Sequence, residues 1–136
     1  MPCLTLARPI EVLLIDDQRA ILAGVTALIE SEGPGMHVAG RAMTGQQALA
    51  LASSAQPDVI VLDVDLGGED GLTLIPGLLS ACGAAIIVFT CLIDPAARHR
   101  AAHLGAAGFI QKTASGTELI AAIRRSTNSA DVIETD

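Results

Sequence analysis

Five short apolar runs, each followed by a segment of helical period, constrain this chain more than any other feature. Ile10-Glu11-Val12-Leu13-Leu14-Ile15 is rich in branched residues and reads as a buried strand. After it, Ile21, Leu22, Val25, Leu28 and Ile29 recur at helical spacing, and Gly33-Pro34-Gly35 stops the helix. Met36 to Ala42 forms the second strand. Thr44 caps the next helix, which runs through Ala48, Leu49 and Ala52, with Gln47 in the capping-box position. Gln56-Pro57 breaks the chain before the third strand, Asp58 to Asp63. The loop Leu66 to Gly71 leads to a third helix ending near Cys82-Gly83. Pro76 lies inside that pattern and requires the helix to start late or to kink. Ala84 to Thr90 is the fourth strand, and Asp94-Pro95 caps the fourth helix. Gly105-Ala106-Ala107-Gly108 precedes a fifth strand, Phe109 to Gln111. Leu119, Ile120 and Ile123 mark the last helix.

Strands that are apolar on both faces are covered on both faces. Alternation with helices therefore predicts an α/β fold, a parallel sheet with helices on either side. One domain is expected over 8–125, with 126–136 a polar, mobile tail or the stump of a linker. Half of the 136 residues are hydrophobic, so the chain is not disordered. No apolar run reaches membrane-spanning length, so no membrane association is expected. The start, Met1 to Leu6, lacks the features of a secretion signal. Cys3, Cys82 and Cys91 are odd in number and lack metal-site spacing, which fits free thiols and a cytoplasmic protein. The net charge of −7 and the absence of Trp and Tyr argue against direct nucleic-acid binding.

In an open parallel sheet, ligands bind beyond the carboxyl ends of the strands. Asp16 and Asp17 end the first strand here. Asp63 ends the third, with Asp65 two residues on. Thr90 ends the fourth, and Lys112, the only lysine, follows the fifth. Each residue alone has a structural reading: a helix cap, a β-branched strand residue, a solvated charge. Together they supply one chemistry. Three carboxylates held close repel one another, and a divalent cation such as Mg²⁺ or Mn²⁺ removes that penalty. A carboxylate can then act as nucleophile toward a phosphoryl group. Lys112 offers a fixed positive charge and Thr90 a hydroxyl to the phosphoryl oxygens.

The segments Val12 to Asp17, Val59 to Asp63, Ile87 to Thr90 and Gly105 to Lys112 together resemble the signature of response-regulator receiver domains, over nearly the whole chain. The resemblance implies a doubly wound, flavodoxin-like five-stranded sheet in the order 2-1-3-4-5. By matching positions it implies Asp63 as phosphoacceptor, with Asp16, Asp17, Asp63 and the backbone carbonyl of Asp65 as metal ligands. Thr90 and Lys112 would read the phosphoryl group, and Phe109 matches the aromatic that moves with the Thr, although it also suits an ordinary core position. The partner implied is a histidine kinase or phosphotransfer protein. The protein would be regulatory rather than an enzyme, with phosphorylation shifting partner binding or homodimerisation.

Several positions depart from the family pattern. Thr113 stands where Pro is common, and a cis bond there would cost several kcal/mol more than before Pro. Gly67 replaces a frequent Pro and should leave its loop freer. Cys91 stands where Ala is common and would narrow access to the site. Asp65 adds a negative side chain beside the acceptor. On the fourth helix, Arg98, His99, Arg100 and His103 form the densest basic group, either a solvated face or a surface for an acidic partner or a second copy. The last strand and helix also resemble receivers linked to helix-turn-helix output domains, which makes transcription regulation a further expectation. Two other functions remain open at this stage. Asp63-Val64-Asp65 resembles the nucleophile motif of haloacid-dehalogenase-like phosphatases, and the fold could serve as a binding module without phosphorylation.

Overall fold

A computed structural model describes residues 8–91 and 94–135, with side chains in the last helix described up to Thr127. Cys3 lies outside the described residues. The strands are β1 (Ile10–Ile15), β2 (Met36–Ala42), β3 (Val59–Leu62), β4 (Ala85–Thr90) and β5 (Gly108–Gln111). The helices are α1 (Arg19–Glu30), α2 (Gly45–Ala55), α3 (Ile75–Ala81), α4 (Pro95–Leu104) and α5 (Gly116–Thr135). The sheet order is β2-β1-β3-β4-β5 and every pairing is parallel, as expected for 2-1-3-4-5.

Side chains alternate across a strand, so the apolar runs fill two cores. Leu13, Ile15, Ile60, Leu62, Ile86 and Val88 face one side with Ile75 and Leu78 of α3. Val12, Leu14, Val59, Val61, Ile87 and Phe89 face the other, against Leu22, Val25 and Ile29 of α1 and Leu119 and Ile123 of α5. The capping box of α2 forms with a shift of one residue. Thr44 Oγ1 accepts the Gln47 amide at 3.2 Å, while Gln47 Oε1 accepts the amide of Met43 rather than that of Thr44. Pro76 acts as expected. A 3₁₀ turn, Gly71–Leu74, precedes α3, and the proline sits in the first turn of the late-starting helix, where its missing N–H costs nothing.

One expectation is corrected. The loop after Asp63 is not freer for carrying Gly67. Asp65–Leu66 pairs antiparallel with Glu69–Asp70 as a small hairpin. Gly67 and Gly68 form its turn, both at positive φ (60° and 95°), the pattern of a type I′ turn. Proline, fixed near φ −65°, cannot occupy that turn. Beyond residue 125, in the stretch expected as a polar tail or linker stump, α5 continues to Thr135. No Gly or Pro interrupts residues 117–135, and the Ser126 and Thr127 hydroxyls donate to carbonyls three residues back, at 2.7 and 3.0 Å. Polar composition alone supplied no helix stop.

The hairpin is joined to α3 through Gly71, whose amide bonds the Val64 carbonyl at 2.5 Å. A Cβ there would lie 2.0 Å from the Asp63 carbonyl oxygen. Gly71→Ala is therefore expected to lower stability by about 1–3 kcal/mol, through overpacking against rigid backbone. Urea unfolding measures this; an unchanged midpoint would show that the loop yields freely.

Candidate functional site

Hydrogen bonds of the sheet continue one residue past the strand ends and fix the backbone of the polar residues. The Asp16 amide donates to Ala42 O (3.0 Å), the Asp63 amide to Ile15 O (2.9 Å) and the Lys112 amide to Thr90 O (2.8 Å). Three of the side chains so placed are buried in spite of their polarity: Asp16, Asp63 and Thr90. Lys112, with a side chain 8% exposed, lies between two of them. Its Nζ is 2.7 Å from Asp16 Oδ2 and 3.1 Å from Asp63 Oδ2.

This arrangement decides the protonation balance. Burial pushes the Asp63 carboxyl above the ordinary carboxylate range, and nearby Asp16 adds to the rise; Lys112 and the Asp65 amide oppose it without cancelling it. For Lys112, burial alone would depress the ammonium, but its contacts with Asp16 and Asp63 outweigh burial and the net shift is upward. Lys112 therefore stays charged throughout the neutral range.

Oxygens of Asp16, Asp17 and Asp63 all lie within 4.8 Å of one another. Three hard carboxylate donors, one of them half-buried toward solvent, fit a small divalent cation such as Mg²⁺. A cavity of about 270 Å³ opens beside them, lined by Asp17, Gln18, Asp63, Val64, Asp65, Thr90, Cys91 and Lys112. Thus Asp17, Asp63, Asp65, Thr90 and Lys112, noted from sequence, share one cavity, and Asp16 joins them through the lysine. Cys91 lines the same cavity and is solvent-exposed, so it shapes the entrance without closing it. The Lys112–Thr113 peptide is trans, with no cis bond among the described residues.

Phe109 stands apart from this group. It is half-buried on β5 and packs against the α3-side core, with the Arg98 guanidinium 5.6 Å from its ring centroid. Sequence reasoning missed Gln18, whose Oε1 lies 3.5 Å from Lys112 Nζ. Gln18 occupies the α1 N-cap position but makes no side-chain cap bond; a non-capping amide directly after an acidic pair was the available signal. It also missed Glu69, which accepts the Gly45 amide at 3.1 Å and so ties the hairpin to the start of α2.

The chain belongs to the response-regulator receiver domain family, whose model matches residues 12–124. It is thus a receiver domain of two-component signalling, and the phosphatase alternative falls away. Transcriptional regulatory protein DesR of Bacillus subtilis is 32% identical over 85% of this chain and 57% of its own length. Response regulator GacA of Pseudomonas aeruginosa is 34% identical over 85% of this chain and 54% of its own. The chain therefore spans little more than half the length of these relatives. The response regulator domain of Thermotoga maritima CheB superposes with a TM-score of 0.81 at 28% identity, covering 89% of this chain and 98% of that domain.

The raised Asp63 value gives a signed prediction for the metal-free protein. A carboxyl that holds its proton more tightly when folded contributes stability at low pH and loses it as pH rises through the raised value. Asp63→Asn is therefore expected to raise the metal-free melting temperature at neutral pH, with the gain vanishing below the ordinary value of 3.8. Thermal unfolding in chelator across pH checks this; a lower melting temperature for Asp63→Asn at neutral pH would contradict it.

Proposed function

We propose that Asp63 accepts a phosphoryl group from the phosphohistidine of a histidine kinase or phosphotransfer protein. The observation that carries this reading is the buried Asp63 carboxylate, ion-paired to Lys112 at the floor of an open cavity. An Asp63 carboxylate oxygen attacks phosphorus, the bond from phosphorus to the donor nitrogen breaks, and the donor imidazole leaves with that electron pair. Asp16, Asp17, Asp63 and the carbonyl of Asp65 would hold Mg²⁺ or Mn²⁺, which when bound screens charge between carboxylate and phosphoryl group. Lys112 then faces phosphoryl oxygens as well as carboxylates, and the Thr90 hydroxyl donates to one of those oxygens. The added charge of nearly −2 favours the loop arrangement in which both residues reach it. Phe109 follows Thr90 in that rearrangement.

No helix among the described residues is long and apolar enough to cross a membrane. Free Cys82 and Cys91 fit a reducing compartment, and the reading places the protein in the cytoplasm. The relatives described as transcriptional regulators suggest that phosphorylation here controls transcription through homodimerisation or a partner, with no direct nucleic-acid contact by this domain.

Acetyl phosphate with Mg²⁺ is expected to add one phosphate to the wild-type chain and none to Asp63→Ala, and chelator is expected to prevent the addition. Intact-mass measurement reads this directly; equal labelling of the variant, or steady turnover of a phosphomonoester, would contradict it. Asp65 lines the same cavity as Asp63, and its backbone favours the charged form of the Asp63 carboxyl. Asp65→Asn is expected to change the lifetime of the phosphorylated state, followed as decay of the same mass species. Unchanged phosphorylation and dephosphorylation rates would refute a role for that charge.

A further inference from the structure

Helix α4 has a weak apolar anchor. Of its side chains only Ala97 and Ala101 are buried, each offering a single methyl, with Leu104 partly buried against the same core, whereas α5 buries Leu119, Ile120 and Ile123. Burial scales with apolar area, so α4 gains little from the core. Two arginines add polar ties to its placement. Arg98 lies over the Phe109 ring on β5. Arg100 Nη1 bonds Asp70 Oδ2 at 2.7 Å, at the end of the hairpin. Two residues apart on a helix means about 200° of rotation, so the arginines leave α4 in opposite directions.

Between the hairpin and α4 runs a cleft of about 440 Å³, bordered by Asp65, Asp70, Asp94, Ala97 and Arg100. The Arg100–Asp70 pair links the two sides of this cleft. The hairpin is in turn coupled to the acceptor, because Gly71 sits directly against the Asp63 carbonyl. A shift of backbone at residue 63 therefore passes to Asp70. Both arginine ties end on segments joined to the phosphoryl site: Asp70 follows the acceptor loop, and Phe109 lies on the strand that leads to Lys112.

We propose that Arg98 and Arg100 latch α4 in its resting position, and that phosphorylation of Asp63 loosens this latch. The second half rests on the phosphoacceptor reading above. Both members of the Arg100–Asp70 pair are roughly half-exposed, and a pair of that kind shifts an equilibrium only modestly. A weak tie suits a switch, since a small change at the acceptor is enough to release it.

Hydrogen exchange of α4 amides in the full chain tests the latch, with amides of β1 and β3 as the check on folding. The double variant Arg98→Ala/Arg100→Ala should exchange in α4 about two- to fivefold faster than wild type, with β1 and β3 unchanged. Arg100→Lys in an otherwise wild-type chain should remain near the wild-type rate, because the charge is kept. Adding beryllofluoride with Mg²⁺ as a phosphoryl mimic should bring wild type up to the rate of the double variant. Salt at about 1 M should narrow the resting difference by screening the exposed pair. Equal α4 exchange in untreated wild type and double variant would overturn the proposal. So would a difference that persists undiminished with the mimic, which would make the ties static. If acetyl phosphate labels Asp63 while α4 is unchanged by the mimic, the latch fails and the phosphoacceptor reading stands. If wild type takes no phosphate, both fail.

Discussion

The ammonium of Lys112, set between Asp16 and Asp63, is the interaction on which the rest of the site depends. It joins the ends of β1, β3 and β5, which the parallel topology brings to one edge of the sheet. Three neighbouring carboxylates around a buried site would otherwise repel, and removing one partner of a buried pair leaves an uncompensated charge. The lysine keeps the cluster together, yet Asp63 still holds its proton more tightly than an ordinary carboxyl. A cation placed among these carboxylates would change that balance directly. The fold and the chemistry thus meet at one point. Apolar strands force a two-sided core, and their carboxyl ends are the place where polar groups gather without entering it.

Much of this was legible in the sequence because the strands obey one rule strictly. Runs such as Val59-Ile60-Val61-Leu62 have no polar face, which leaves a sheet covered on both sides as their only setting. Once the sheet is parallel, Asp16, Asp63, Thr90 and Lys112 lie at the same edge. Pro76 announced the late start of α3 through its own stereochemistry. The site residues missed were those whose partners are remote in sequence. Gln18 meets Lys112 across 94 positions, and Glu69 meets Gly45 across 24. No local pattern encodes such pairs.

The hairpin escaped notice for another reason. Each of its strands is two residues long, too short for alternation to show. Its Gly67-Gly68 pair was visible, but the absence of Pro suggested looseness where positive φ at both glycines in fact builds an ordered turn. The end of α5 illustrates the converse. Polarity after Arg125 says nothing about where the helix ends; continuation depends on backbone capacity, and that stretch carries no Gly or Pro.

The site also organises its surroundings. The hairpin touches α2 through Glu69 and α4 through Asp70, so the loop after Asp63 is held from both flanks. Lys112 connects Asp63 to the end of β5, and Thr90 at the end of β4 lines the same cavity. A change at one carboxyl therefore has several short mechanical routes to the far side of the domain. The most direct test of this account is to locate the phosphoryl group in the wild-type chain by fragmentation mass spectrometry after reaction with acetyl phosphate and Mg²⁺. The account predicts a single modified residue, Asp63. Modification of Asp16, Asp17, Asp65 or a histidine, with Asp63 unmodified, would contradict it.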